Sequence, residues 1–323
     1  MENILEIKNL HTYFYTEDLI IKAVEGLSLS VKKGEVLGLV GESACGKTVT
    51  AHSVMRLIQP PGKIVKGQIL FEGEDLLKLS QDNMRRLRGK TISIIFQEPW
   101  AALNPLYTIG FQIVETIKIH KNDITKRKLR HLALELLRKV GISQPEMRIK
   151  DYPHNLSGGQ AQRGMIAMAL SCSPKLLIAD EPTSSLDVTI QAQIMDLFAQ
   201  LIQEAKFTLI LITHNLALCS QIANRVAIMY AGKIVELATI EEIFACPLHP
   251  YTQALFSSIS QKESKEKKLK AIEGTVPDAS SKPKGCHFHP RCPLKKEICI
   301  NSYPEFIEIK PQHWVSCFMV RPS

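Results

Sequence analysis

The chain has 323 residues, 45% of them apolar and 22% charged, the balance of a globular protein with room for one large α/β domain plus an appendage, or two modest domains. No apolar run approaches the roughly 18 residues that a membrane span needs, and the opening MENILEIKNL lacks the basic-then-apolar pattern of a secretory signal, so a cytosolic location is expected. The net charge is +8, of which +5 lies from residue 261 onward; this reads as a solvated basic tail, with attraction to anionic lipid or to an anionic cluster in the tail as the alternative.

In chain order, ILEIKNLHTYFYT (4–16) alternates and is rich in β-branched and aromatic residues, which predicts a strand. LSLSVKKGEVLGLVGES (27–43) predicts strand, Lys-Gly turn, strand and a glycine-bounded loop, followed by a helix over 47–58. Residues 126–140 carry Leu129, Leu132, Leu134, Leu136 and Leu137 at helical spacing among basic residues. LLIAD (176–180), TLILIT (208–213) and RVAIMY (225–230) are short apolar runs of the kind buried in a parallel sheet, with a helix predicted over 188–205 between the first two. This strand–helix alternation predicts an α/β core covered on both faces. The helix-rich stretch at about 98–170 reads as an insertion. After 245 Pro, Lys and Ser become frequent and no strand series is predicted, so a domain boundary is placed there, giving 1–245 and 246–323.

Residues 41–48, GESACGKT, match G-x-x-x-x-G-K-[ST] between an apolar strand and a helix, which is the context of a phosphate-binding P-loop. Backbone N–H groups of Gly41, Glu42, Ser43, Ala44, Cys45 and Gly46 would wrap phosphates, Lys47 would reach the β- and γ-phosphates, and the Thr48 hydroxyl would ligate Mg²⁺, with Val49 also counted in the nucleotide site. The strand 176–180 ends in Asp180 and Glu181, paired acids that a buried strand carries for a cation or a base: Asp180 for Mg²⁺, Glu181 for the attacking water.

LSGGQ at 156–160, together with SSLD at 184–187 and a histidine after LILIT, resembles the motif set of ABC-type ATPases over about residues 1–245. The resemblance implies an α/β P-loop cassette: a RecA-like core, an antiparallel N-terminal β part and a helical subdomain. It also implies that two cassettes sandwich two ATP molecules. In that arrangement Ser157, Gly158, Gly159 and Gln160 cradle the γ-phosphate held by the partner, and Asp187 crosses the interface. His214 resembles the switch histidine, Gln97 the residue that touches Mg²⁺ and the water, and Phe14 the aromatic that stacks on adenine, although Tyr13 and Tyr15 flank it. Ala44, Ala161 and Gly164 depart from the commonest pattern, and none replaces a side chain with a chemical role.

CPLHPYTQALFSSI (246–259), FQEPWAALNP (96–105) and AIEGTVPD (271–278) resemble the ATPase subunits of peptide and nickel importers. This implies uptake of di- or oligopeptides, with nickel or another small solute as the lesser option. The implied partners are a second ATPase chain (related or a copy of this one), two transmembrane permease subunits and an extracytoplasmic peptide-binding protein, at the cytoplasmic face of the membrane. Cys286, Cys292, Cys299 and Cys317 are spaced C-x5-C-x6-C-x17-C. Four thiolates suit a [4Fe–4S] cluster or zinc, with unligated cysteines as the remaining alternative; the absence of a tight C-x2–4-C pair favours the cluster, which related dipeptide-importer subunits carry. Arg291, Lys295 and Lys296 are then expected to compensate its charge, and His287, His289 and His313 are read as turn or surface histidines or substitute ligands. The tail itself has little apolar content from which to build a core. Two further readings are an ABC ATPase acting on nucleic acid or ribosomes, which would show two cassettes or a coiled-coil insertion, and an iron–sulfur redox protein with an incidental nucleotide fold.

Overall fold

The structure, a computed structural model, describes residues 2–121, 123–205, 207–260 and 274–320. Part of the basic tail (261–273) and the start of AIEGTVPD therefore lie outside the described residues. In chain order the elements begin with β1 (Asn3–Tyr15), β2 (Ile20–Lys32), β3 (Val36–Val40), α1 (Lys47–Val54), β4 (Gly62–Phe71), β5 (Glu74–Asp75) and α2 (Gln81–Leu87). Then come β6 (Ile92–Ile95), α3 (Pro99–Ala102), α4 (Ile109–His120), α5 (Lys126–Lys139), α6 (Pro145–Arg148), α7 (Gly158–Leu170), β7 (Leu176–Asp180), α8 (Val188–Ala205) and β8 (Thr208–Thr213). The chain continues with α9 (Leu216–Cys219), β9 (Arg225–Tyr230), β10 (Lys233–Thr239), α10 (Ile240–Ala245), α11 (Pro250–Ser260), α12 (Glu297–Asn301), β11 (Ile307–Lys310) and β12 (His313–Val315).

Two compact units share these elements: one formed by Met1–Val31, Val36–Leu77 and His214–Ser323, the other by Lys32–Glu35 and Lys78–Thr213. In the first unit an antiparallel sheet runs in the order β2-β1-β4-β5, and a second run of strands is ordered β11-β12-β10-β9-β3. There β3 and β9 are parallel, and every residue of both is buried, which is why, apart from Arg225 at the start of β9, no charged residue interrupts them. In the second unit β8, β7 and β6 are parallel and adjacent, with Leu176 opposite both Ile92 and Thr208. Its helices start at polar caps. Thr108 accepts from Phe111 N–H, Thr125 from Lys128 N–H and Ser157 from Gln160 N–H, each filling an otherwise orphaned donor of a first turn. On α5 the buried positions are Leu129, Ala133 and Leu137, one face at i, i+4, i+8.

The region after 245 differs from expectation. The strands β11 and β12 join the first unit's sheet, with Glu236↔Val315 and Leu237↔Trp314 pairing antiparallel across β10 and β12. Strands of only three or four residues, set among prolines, leave no alternation to read in the sequence. The anchor is Glu236, a carboxylate on β10 with no exposure. Its Oε1 accepts from Leu248 N–H at 2.8 Å and from His313 Nε2–H at 2.8 Å, and its Oε2 accepts from His249 N–H at 2.9 Å. A buried carboxylate is tolerated because these donors replace water. The tail thus borrows its core from the sheet: Phe288 packs edge-on against Tyr230 (5.2 Å between centroids) and lies 5.4 Å from Tyr251, all three buried. Such pairs each contribute roughly 0.5–1.5 kcal/mol beyond burial.

Candidate functional site

The phosphate loop leaves β3 at Gly41 and enters α1 at Lys47. Its glycines are sterically required. A Cβ on Gly41 would overlap the Met229 carbonyl oxygen, and one on Gly46 (φ 106°) would lie 2.5 Å from the Ala23 carbonyl oxygen. Ala44 occupies the left-handed region at φ 62°, so the departure noticed in the sequence carries a real conformational cost. The Lys47 ammonium donates to the carbonyls of Gly41 (2.8 Å) and Glu42 (3.0 Å), and its side chain is almost fully buried. Cys45 is buried beneath it, and burial pushes its thiol up, against the pull of Lys47.

The aromatic trio of β1 is resolved by its neighbours. Thr12 bonds Ser53 of α1 at 2.8 Å, and strand alternation puts Phe14 on that same face, half-buried against Gly62. Tyr13 and Tyr15 share the opposite face, under the ammonium groups of Lys22 and Lys63.

In the second unit, Gln97 follows β6 and Asp180–Glu181 end β7, so the carboxyl ends of two adjacent parallel strands carry them. Asp180 is 2% exposed. Glu181 stands in a left-handed conformation (φ 44°) and its N–H donates to Ile212 O at 2.9 Å, a strained residue held by the neighbouring strand. Its carbonyl accepts from the Ser184 hydroxyl at 3.1 Å. His214 is the residue after β8 and is exposed. LSGGQ opens α7 with a reciprocal capping box: Ser157 Oγ accepts from Gln160 N–H, and Gln160 Oε1 accepts from Ser157 N–H. Gly158 and Gly159 therefore form the first turn of a 13-residue helix, where free N–H groups and the dipole favour an anion. The Asp187 carboxylate accepts from Ile190 N–H at 3.0 Å at the start of α8. Gly164, costly inside a helix, lies where a Cβ would come within 2.8 Å of Ile109 on α4, and Ala161 is fully buried; both are packing choices.

The tail departs from several expectations. Arg291, expected beside the cysteines as a compensating charge, has a carboxylate partner in the phosphate loop. Its guanidinium forks onto the Glu42 carboxylate in the phosphate loop at 2.7 and 3.1 Å. His287 and His313 are not surface residues: His287 is buried with its ring bonded to Ala231 O, and His313 is fully buried on Glu236. Cys286, Cys292, Cys299 and Cys317 all line one cavity with His249, His289 and Phe288. Burial pushes the Cys286 thiol up to about 11, and its three partners add to the rise. Among the described residues, however, no group of three or more His, Cys, Asp or Glu side chains is arranged to hold a metal ion.

Comparison with known proteins places these features. Residues 24–184 match the ABC transporter family, and residues 235–299 match the oligopeptide/dipeptide transporter C-terminal region. The fold resembles a dimeric bacterial ABC transporter cassette, MJ0796, at TM-score 0.67 and 25% identity, covering 73% of this chain and 98% of that one. The protein is an ABC-type ATPase cassette, a P-loop NTPase fold with mixed α/β sheets. The oligopeptide transport ATP-binding protein AppD of Bacillus subtilis (strain 168) is 47% identical over 99% of this chain and 97% of its own length. The dipeptide transport ATP-binding protein DppD of Escherichia coli (strain K12) is 46% identical over 92% of this chain and 90% of its own. The chain belongs to the dipeptide/oligopeptide branch of the ABC transporter ATP-binding subunits. No helix among the described residues is long and apolar enough to cross a membrane.

Proposed function

We propose that this chain is the motor of a di- or oligopeptide importer, coupling ATP binding and hydrolysis to solute uptake through separate membrane subunits. The observation that carries this reading is near full-length similarity to peptide-importer ATPases, combined with an intact set of nucleotide motifs at strand and helix ends. Lys47 and the loop N–H groups hold the phosphates, Thr48 and Asp180 hold Mg²⁺, and Glu181 polarises the water that attacks the γ-phosphorus. Gln97 and His214 orient that water, and Phe14 receives the adenine. Ser157, Gly158, Gly159 and Gln160 cradle the γ-phosphate of a partner cassette, with Asp187 beside them, so closure follows ATP and relaxes on hydrolysis. Residues 1–245 form the cassette and 246–323 the importer-type extension. Exposed apolar side chains of the second unit, Trp100, Leu106, Tyr107, Phe111 and Met147, offer a contact surface for the permease subunits on the cytoplasmic side of the membrane. Purification from native membranes tests this. Two permease chains should accompany the protein, with ATPase activity stimulated by peptide and its binding protein. Isolation without permeases, or indifference to peptides, would overturn it.

We also propose that Cys286, Cys292, Cys299 and Cys317 hold a [4Fe–4S] cluster. Their convergence on one cavity supports it. Four thiolates are a full donor set for such a cluster, which takes one at each iron. The cluster would crosslink four points of the tail. Anaerobic purification with iron, sulfide and zinc analysis decides: about four irons and four sulfides per chain support it, and stoichiometric zinc or no metal removes it.

A further inference from the structure

The second residue of the phosphate loop is held by two side chains far away in sequence. The Glu42 N–H donates to the Tyr251 hydroxyl at 2.9 Å, across 209 positions. The Glu42 carboxylate accepts both arms of the Arg291 guanidinium, Nη1 to Oε2 at 2.7 Å and Nη2 to Oε1 at 3.1 Å, across 249 positions. Arg291 Nη1 also donates to the Tyr230 hydroxyl at 3.3 Å, and its side chain is only 4% exposed. Tyr251 has no exposure at all and is wedged beside Tyr230 and Phe288. The Gly41–Glu42 peptide is the common link: its N–H meets Tyr251 and its C=O, that of Gly41, accepts from the Lys47 ammonium at 2.8 Å. A shift of that peptide therefore shifts the charge that meets the phosphates.

We propose that Tyr251 and Arg291 are positioning residues for nucleotide binding by the phosphate loop. They brace the phosphate loop from behind, and Arg291 neutralises the Glu42 carboxylate. Two physical effects follow. A loop held in its binding shape loses less freedom when nucleotide arrives. A carboxylate left unpaired within the loop would repel the triphosphate in a region of low solvent screening. This also gives the His-Pro-Tyr-Thr run a role: Glu236 fixes the backbone of Leu248 and His249, and so delivers the Tyr251 hydroxyl to the loop. Because binding linkage is reciprocal, nucleotide must in turn tighten the segment that carries Arg291.

The test uses the full chain and reads ATP affinity without Mg²⁺ by isothermal titration, alongside kcat at saturating MgATP. Arg291→Gln is expected to weaken ATP about tenfold, and Tyr251→Phe about fivefold, with kcat within about twofold of the parent. Arg291→Lys keeps the charge but not the fork and should recover only part of the loss. The double variant Arg291→Gln/Glu42→Gln, which removes the stranded charge, should bind ATP more tightly than Arg291→Gln alone. A merely structural role would lower the yield of folded protein while leaving the affinity of the folded fraction unchanged, and that result would overturn the proposal. A measurement on the unaltered protein stands apart from any folding defect: ATP should slow amide hydrogen exchange at residues 286–292. Exchange there that is indifferent to ATP would overturn it as well.

Discussion

Glu236→Gln isolates the anchor of the C-terminal region with almost no change in shape. The carboxylate accepts three buried hydrogen bonds, from Leu248 N–H, His249 N–H and His313. An amide can be turned two ways. With its NH₂ at the Oε2 position it faces the His249 N–H; with its NH₂ at the Oε1 position it faces both Leu248 N–H and the His313 ring. Either way at least one buried donor meets another donor, and the remaining bonds lose their charge assistance. An orphaned buried donor costs about 1–3 kcal/mol, and a hydrogen bond to a charged group contributes about 1.5–3, so a loss of roughly 2–5 kcal/mol is expected. Against a total stability of about 5–15 kcal/mol that is a large fraction. For a chain of this size it corresponds to a fall in Tm of roughly 5–15 °C. Scanning calorimetry reads the shift, and limited proteolysis with mass identification locates it. New cleavage is expected within 246–320, while fragments from the Lys78–Thr213 unit stay protected. A Tm within about 1 °C of the parent, with an unchanged cleavage pattern, would refute the view that this carboxylate holds the extension in place.

Glu181→Gln should retain ATP affinity and lose turnover, trapping a closed cassette pair that elutes as a dimer by gel filtration with MgATP; undiminished phosphate release would remove Glu181 from the water-polarising role. Ala44→Gly should stabilise the protein by about 1 kcal/mol, since the left-handed backbone there is costly for alanine and free for glycine, read as a higher urea midpoint. Lys282 gives a pH signature. Burial lowers its pKa to about 8, against the pull of the Glu25 carboxylate 3.4 Å away. From about pH 8 up to the unfolded value near 10.4, the unfolded chain holds the proton that the folded chain has released, so stability rises with pH across that window. Relative to Lys282→Met, the parent should gain about 2 kcal/mol between pH 7.5 and 9.5 in paired urea titrations, and a flat difference would show that Glu25 keeps the ammonium charged throughout.

The nucleotide motifs were legible because each is a local backbone device. GESACGKT and LSGGQ encode loop shape and helix entry within eight and five residues, and buried parallel strands declare themselves as uninterrupted apolar runs. The helices at 126–139 and 188–205 follow likewise from apolar spacing. What the sequence left open was decided by contacts between distant segments. The face of Phe14 depends on Thr12 meeting Ser53, 41 positions on. Gly164 is a cost to its own helix, and only the close approach of Ile109 explains it. Arg291 lay among basic residues next to a cysteine, and nothing near it in sequence signals that its partner is Glu42. Glu236 sits mid-strand as an ordinary acid, and only the return of the chain at 248–249 and 313 makes it a buried anchor. Local periodicity and motif spacing report what neighbours along the chain must do. The pairing of buried charges is a property of which surfaces meet, and the chain reveals it only once folded.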